Sequence, residues 1–232
     1  MRILDLDPDL GSRLGADLES ARAQLVARPY RVEPGPWDIP QPRDPAGAYG
    51  LLIVEGVAAL RTALAERATV ELLGAGDVLQ PWVQLGLETT APPSARWEVL
   101  QPLTVALLDR DFARAAAPWP EFAGALMYRL VRRSRRLGYQ LAVNTAPQVE
   151  QRLLYSLWAL ADRWGRVTEA GTMLELRLTH QLLAELVAAQ RPTVSAALNR
   201  LRDSGLISYT RSTFLLCGHV PSEVESLRRQ LT

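Results

Sequence analysis

Residues 178–207, LTHQLLAELVAAQRPTVSAALNRLRDSGLI, contain two short apolar stripes separated by small or polar residues. The first stripe comprises Leu178, Leu182, Leu183, Leu186 and Val187, and the second comprises Val194, Ala197, Leu198 and Leu201. Spacings of three and four residues place each set on one face of a helix. Since only Ala188, Ala189 and Gln190 separate the stripes, the sequence predicts two short helices joined by a tight turn.

The second of these helices carries polar side chains on a face away from its apolar stripe. These side chains are Arg191, Ser195, Asn199 and Arg202, and they follow one another at spacings of four, four and three residues. Pro192 fits the first helical turn, where no N–H partner is needed, and leaves the helix N-terminus free to point at a phosphate. Gly205 predicts the helix end, and LISYTRSTFLL at 206–216 predicts two strands around a turn at Arg211 and Ser212. A helix-turn-helix with a β-wing is therefore expected.

Proline and glycine divide residues 29–109 into short apolar runs such as AYGLLIVEGVAAL and RWEVLQPLTVALL. These runs predict strands of a small antiparallel barrel or sandwich. The predicted turn positions are Gly50, Gly56, Gly74, Gly76 and Gly86. Residues 9–27 predict a preceding helix that packs onto the barrel through Leu14, Leu18, Ala21 and Leu25.

A long apolar-periodic segment runs without proline from Glu121 to Asn144. Spacings of three and four residues along it predict a two-stranded coiled-coil seam and hence a homodimer. The seam residues are Met127, Leu130, Ser134, Leu137, Leu141 and Asn144. A helix lying on the barrel is the alternative. Pro147 begins a further helix that ends at Gly165, and a polar stretch then leads to Thr172.

Composition and charge restrict the function. The 232 residues are 48% hydrophobic with a net charge of +1, which is typical of cored domains. The single cysteine, Cys217, excludes an intramolecular disulfide and a four-thiolate cluster, and the two histidines, His180 and His219, exclude a multi-histidine metal site in the first three quarters. Residues 1–125 carry 11 Arg and 17 acidic residues (11 − 17 = −6), whereas residues 126–232 carry 15 Arg and 8 acidic residues (15 − 8 = +7). This asymmetry is typical of a nucleic-acid-binding module joined to a different domain.

The stretch 178–207 resembles the winged helix-turn-helix of the cyclic-AMP receptor protein/FNR (Crp/Fnr) family of bacterial transcription regulators. The order of parts agrees along nearly the whole chain. The resemblance implies an α+β fold with a cyclic-nucleotide-binding-like jelly-roll β-barrel at 1–118, a dimerisation helix at 119–146 and a winged helix-turn-helix domain at 147–232. It also implies a homodimer that places two recognition helices in successive major grooves of double-stranded DNA at a near-palindromic operator.

By position, the resemblance implies that Arg191 reads a guanine and that Gln190 and Thr193 contact phosphates. It also implies that His180 and Gln181 contact the DNA backbone. Ser195 and Asn199 share the face of Arg191, and Arg200 and Arg211 complete the predicted DNA-contact set. Pro192 and Ala196 stand where other members present Glu and Arg to bases, so we expect a different operator. Ala188 replaces the usual turn glycine.

The sensor half departs from members that bind cyclic nucleotide. Those members carry a Gly-Glu pair followed by an Arg-Ser/Thr-Ala segment that holds the cyclic phosphate. Here residues 85–100 read LGLETTAPPSARWEVL. Ser94 and Ala95 occupy the positions where those members have the phosphate-binding arginine and the residue after it. Arg96 is the alternative phosphate anchor. We therefore expect no control by cyclic nucleotide, no metal and no cofactor, with an unknown effector if there is one.

Two other function classes are the alternatives. An enzyme is disfavoured because the first 120 residues contain no His, no Cys, no phosphate-binding loop and no GxSxG motif. A winged helix that acts only through protein contacts, as an assembly or regulatory scaffold, is the remaining alternative. The sequence shows no apolar stretch of membrane-spanning length and an acidic start, which predicts a cytoplasmic protein without a membrane partner. RNA polymerase is a further candidate partner of a transcription regulator.

Overall fold

A computed structural model of the chain describes residues 1–39, 44–64, 67–81, 94–222 and 224–225. The chain folds into two compact units. The first comprises residues 1–66 and 71–134, and the second comprises residues 67–70 and 135–232. The fold is mixed α and β, as predicted.

Short helical segments, rather than the single helix predicted at 9–27, precede the sheet. They are α1 (Ile3–Leu6), 3₁₀ turns at Pro8–Gly11 and Gly15–Asp17, and α2 (Leu18–Gln24). Gly15 adopts a φ of +53°, a left-handed conformation that no α-helix accommodates. The predicted packing is nevertheless confirmed, because Leu14, Ala21 and Leu25 lie in one buried cluster with sheet residues such as Leu52 and Ala106.

The first unit is built on a six-stranded sheet. Its strands are β1 (Arg28–Val32), β2 (Gly35–Pro36), β3 (Gly50–Leu64), β4 (Arg67–Gly74), β5 (Val78–Leu79) and β6 (Ser94–Leu108). The order is β1-β6-β3-β4, with β2 on β6 and β5 on β3, and β6 is antiparallel to β1, β2 and β3. In the described residues the sheet is jelly-roll-like but does not close into a barrel. One face buries Ile53, Leu73 and Val105 beside an edge-to-face pair of Trp37 and Trp97.

The predicted turn at Gly56 is wrong. Gly56 lies inside β3, where the pairing with β6 shifts register between Ile53 and Val57. Its φ is +90°, and a Cβ there would collide with the carbonyl of Pro102 on β6. Gly56 therefore permits a β-bulge, which bends a long strand without ending it. Gly76 does occupy a turn with φ +83°, whereas Gly86 lies outside the described residues.

Two helices follow the sheet. α3 (Arg110–Ala116) is capped by the Asp109 carboxylate, which accepts a hydrogen bond from the Phe112 N–H at 2.9 Å. α4 (Pro120–Val143) is the predicted long helix. Its first part is anchored in the core by Phe122 and Leu126.

Two ion pairs hold the same part of α4 within the first unit. Arg129 contacts Asp7 at 2.7 Å, and Arg133 donates two hydrogen bonds of 2.8 and 2.7 Å to Glu71. The bond to Glu71 raises the pKa of Arg133. Burial raises the pKa of Asp7 despite the neighbouring guanidinium, because desolvation disfavours its charge.

The second unit contains the C-terminal helices and a four-stranded sheet. Its elements are α5 (Val149–Trp164), β7 (Gly165–Thr168), β8 (Gly171–Leu174), α6 (His180–Leu186), α7 (Arg191–Asp203), β9 (Ile207–Tyr209) and β10 (Phe214–Leu216). The sheet order is β7-β8-β10-β9. The predicted wing is confirmed in β9 and β10, but the polar stretch before Thr172 forms a hairpin that joins the wing. No helix of the described residues is long and apolar enough to cross a membrane.

Candidate nucleic-acid interface

The turn between α6 and α7 places the two helices as the sequence predicts. The Thr179 hydroxyl caps α6 by accepting a hydrogen bond from the Leu182 N–H at 3.1 Å. At the other end the Ala189 N–H bonds the Ala184 carbonyl at 2.9 Å, and Ala188 adopts a φ of +50°. This is a Schellman closure with alanine at the position that glycine usually occupies. The replaced turn glycine therefore leaves the backbone geometry intact and places strain on Ala188.

Side chains from α5 and from the end of α4 satisfy the last carbonyls of α6. The Gln140 amide donates to the Leu186 carbonyl at 3.0 Å and the Asn144 amide donates to it at 3.3 Å. Arg152 donates to the Val187 carbonyl at 3.0 Å. Helix C-terminal carbonyls lack intrahelical partners, so these bonds stabilise the turn. Asn144, which the sequence places at the end of the predicted dimer seam, follows the last residue of α4 and bonds the last carbonyl of α6.

The burial of α7 defines its two faces. The four residues of its apolar stripe are buried, as predicted: Val194, Ala197, Leu198 and Leu201. Arg191, Pro192 and Thr193 in the first turn are exposed, and so are Ala196 and Asn199 further along. The end of the helix is closed at Gly205, which has a φ of +71°, by a bond from the Leu206 N–H to the Leu201 carbonyl at 3.0 Å.

Ser195 lies in a chain of hydrogen bonds between the two helices. Its Oγ donates to the Arg191 carbonyl at 3.0 Å and lies 2.8 Å from His180 Nδ1. Since the hydroxyl has one proton and the carbonyl only accepts, Nδ1–H must donate to the Ser195 oxygen. The predicted site residues His180, Ser195 and Arg191 are therefore brought together. His180 keeps Nε2 for an outside partner.

Tyr209 connects the wing to both helices. Its ring packs edge-to-face against His180 at a centroid distance of 6.2 Å and stacks on Phe214 at 5.3 Å. Its hydroxyl donates to Asn199 Oδ1 at 3.4 Å. Asn199 thus retains both N–H donors of its amide. Tyr209 was not among the predicted site residues, although an aromatic residue alternating with exposed residues in a wing strand is a usable signal.

A cleft of about 280 Å³ opens between the start of α6 and the wing. Its lining includes Arg177, Thr179, His180, Tyr209 and Arg211. Arg177 and Arg211 are exposed, and no described residue forms an ion pair or hydrogen bond with either guanidinium or with that of Arg191. The cleft can therefore accept an anion. Arg177 was not predicted, although it lies two residues before the cap of α6.

The remaining predicted DNA-contact residues differ in whether their side chains already bond another residue of the domain. Gln190 and Thr193 are exposed at the start of α7, whereas Gln181 donates to Glu185 at 3.0 Å. Arg200 forms an ion pair with Glu150 of α5. The Glu150 carboxylate accepts hydrogen bonds from its own backbone N–H and from Arg200, and both lower its pKa. Arg200 is thus partly neutralised within the domain.

The predicted dimer residues lie on different sides of α4. Met127 is 61% exposed and Leu141 is 71% exposed, and Ser134 is also exposed. Leu137 is 41% exposed, but Leu130 packs against the core of the first unit. The exposed face further includes Val131 together with Gly124 and Gly138, at spacings of three and four residues. The outward face is therefore rotated from the predicted seam toward Val131 and the two glycines.

Residues 151–217 match the model of the Crp-like helix-turn-helix domain family. This part of the chain is therefore a helix-turn-helix domain of the Crp-like type. The match covers the part of the structure that contains α5, the helix-turn-helix and the wing.

A curated relative is the CRP-like cAMP-activated global transcriptional regulator of Mycobacterium tuberculosis (strain CDC 1551 / Oshkosh). It is 31% identical over 152 residues, which cover 63% of this chain and 64% of that protein. The chain thus spans just under two thirds of the length of this relative.

Two solved structures show the same fold. A transcriptional regulator of the CRP family from Thermus thermophilus has a TM-score of 0.62 at 21% identity and covers 87% of this chain and 96% of its own. A cyclic nucleotide-binding domain containing protein from Listeria monocytogenes EGD-e has a TM-score of 0.64 at 17% identity, with coverages of 90% and 96%. The likeness extends across both units, so the first unit shares the jelly-roll-like fold of these two structures.

Proposed function

We propose that this chain is a homodimeric transcription regulator that binds double-stranded DNA at a near-palindromic operator through α7. The observation that carries the proposal is the first turn of α7. There Arg191 is exposed without a partner among the described residues, beside Thr193 and Gln190, while the opposite face of the helix is buried. A recognition helix presents its N-terminal residues to base edges, and a forked guanidinium bonds two acceptors of guanine.

The cleft between α6 and the wing supports a second contact, to the phosphate backbone. Arg177 and Arg211 supply positive charge, and Thr179 and His180 line the same opening. Such contacts position a protein on the duplex without reading its sequence. Ser195 acts in this proposal through His180 and the Arg191 carbonyl, whereas Asn199 supplies amide donors to the groove.

The exposed face of α4 supports dimerisation. Met127, Val131 and Leu141 expose apolar surface, and Ser134 and Gly138 continue the same face at heptad-like spacing. Burying this face against a second copy removes apolar area from water, and glycine lets two helix backbones approach closely. Two-fold symmetry of the protein then requires an operator with two related half-sites.

The sensor unit is proposed to work without cyclic nucleotide, unlike the relative named as cAMP-activated. Ser94 and Ala95 belong to β6, where they face Ala63 and Thr62 of β3, and Arg96 faces Arg61. Ser94 and Ala95 carry no charge that could hold a phosphate, and the arginine of this segment, Arg96, pairs with a second arginine across the strands. The adjoining residues 82–93, which include Gly86, Glu88, Pro92 and Pro93, lie outside the described residues.

The direct test is selection of bound fragments from a genomic DNA pool, followed by affinity measurements on an enriched fragment and a scrambled duplex. We expect tighter binding to the enriched fragment and a loss of about 10³-fold or more between about 50 and 200 mM salt, if six or more phosphates are contacted. A protein that enriches no fragment and binds duplexes without salt dependence contradicts the proposal. That outcome favours a winged helix acting through protein contacts.

A further inference from the structure

We propose that the recognition helix reads thymine through an apolar patch formed by Pro192 and Ala196, next to the guanine bound by Arg191. The patch contacts the 5-methyl groups of thymines in the major groove of each half-site. This inference rests on the proposed DNA-binding function. It adds the chemical class of base that the helix selects.

The burial of α7 shows which residues face away from the domain. Successive residues of an α-helix rotate by about 100°, so the four buried residues point within about 100° of one another. The direction opposite to their centre is occupied by Pro192 and Ala196 in the first half of the helix and by Asn199 and Asp203 in the second half, all of which are exposed. Arg191 and Ser195 lie at one edge of this outward face. The first half of the outward face, which is the half next to Arg191, is therefore apolar.

The polar groups beside the patch are partly engaged within the domain. The Ser195 proton is donated to the Arg191 carbonyl, and its oxygen accepts from His180. The Asn199 carbonyl oxygen accepts from Tyr209. Neither group is free to turn fully toward a base opposite Ala196. The methyl group of Ala196 and the ring of Pro192 thus define the surface that the groove floor meets.

The major groove offers one apolar group, the thymine methyl. An alanine or proline against a cytosine amino group or an adenine amino group leaves that donor without water and without a partner, which is unfavourable. A thymine methyl in the same place is removed from water at no such cost. The patch therefore both attracts thymine and rejects bases with polar edges at the same position.

The spacing along the helix places this base near the guanine. Residue 196 lies five residues beyond Arg191, about 7.5 Å along the helix axis. This is roughly two base-pair steps of about 3.4 Å. We expect the thymine within about two base pairs of the guanine in each half-site of the selected operator.

The test replaces thymine by deoxyuridine, which removes only the methyl group. Affinities of the full chain are measured for the selected operator and for the same operator with uracil at the half-site thymines. We expect about a fourfold loss for each methyl group contacted, from the value of one buried methylene. The control carries uracil only in the spacer between the half-sites, where we expect no loss.

The double variant Pro192→Ser/Ala196→Gly shows whether the patch is responsible. Its affinity for the thymine and uracil operators is expected to be equal, and its thermal unfolding is followed to verify that it folds. Should it fail to fold, Ala196→Ser alone is used, with a reduced thymine preference expected. A thymine preference that persists in the folded variant overturns the inference, as does an equal affinity of the wild type for both operators. In both cases specific binding still supports the proposed function, whereas no specific binding to any operator overturns both.

Discussion

Arg191 and Thr193 lie two residues apart on α7, yet we expect them to affect DNA binding differently. Arg191→Ala removes a forked donor from a guanine and is expected to cost about 1–3 kcal/mol on the selected operator, with little change on a scrambled duplex. Thr193→Ala removes a phosphate contact and is expected to weaken both duplexes alike. Titrations of both variants at two salt concentrations measure the contrast. An equal loss on both duplexes for Arg191→Ala would reassign that residue to the backbone.

The ion pair between Arg200 and Glu150 limits the positive charge that α7 presents. Glu150 is ionised at neutral pH, and the hydrogen bonds from its own backbone N–H and from Arg200 lower its pKa. Glu150→Gln leaves Arg200 free, so we expect tighter binding to any duplex at low salt and a salt slope steeper by up to about one. Glu169→Gln makes the same charge change in the β7–β8 turn and serves as the control. If both variants change affinity equally, Arg200 does not approach DNA.

At the scale of the element, the turn between α6 and α7 carries a strain that can be removed. Ala188 is held at φ +50° by the Schellman bond of Ala189. A left-handed alanine costs about 1–2 kcal/mol, and glycine loses about 0.5–1 kcal/mol through chain entropy, so Ala188→Gly is expected to stabilise the protein by about 0.5–1 kcal/mol. Urea unfolding measures this difference.

Ala189→Gly is the matched control for that turn. Ala189 does not have a positive φ, so the same substitution there loses entropy without relieving strain. We expect it to destabilise the protein by about 0.5–1 kcal/mol. Equal effects of the two substitutions would mean that the turn stores no strain at Ala188.

At the scale of the whole molecule, dimerisation through α4 is tested by charge. Met127→Glu/Leu141→Glu places carboxylates on the most exposed apolar positions of the helix. Because like charges would face each other across a two-fold axis, light scattering is expected to show the mass of a monomer. Val167→Glu alters an 83% exposed apolar residue of β7 and is expected to leave the mass unchanged. A wild type that is monomeric at micromolar concentration refutes the dimer.

The sensor unit is tested by calorimetry with cyclic AMP and cyclic GMP. We expect no saturable heat at micromolar nucleotide, because Ser94 and Ala95 of β6 carry no charge that could hold a cyclic phosphate. Saturable heat together with a changed DNA affinity would contradict this expectation. Loss of that heat in Arg96→Ala would then identify Arg96 as the anchor.

The sequence by itself determined the helices and the wing of the DNA-binding domain. Helical periodicity is local, so Leu182, Leu186, Val194 and Leu198 reveal the buried faces of α6 and α7 without knowledge of their partners. The same holds for the long helix at 120–143 and for the turn at Arg211. The arginine at the start of α7 was also visible, since a helix terminus is marked by its own residues.

Tertiary structure decided what the polar residues and glycines do. Gln140 reaches a carbonyl 46 residues away, and Gly56 is required by Pro102 on another strand. Periodicity over a few residues cannot reveal such pairings. It likewise could not show that Asn144 caps α6, or that Ser195 bonds His180 across the turn. These roles depend on which groups the fold brings within hydrogen-bonding distance, and that distance is set by the packing of elements remote in the chain.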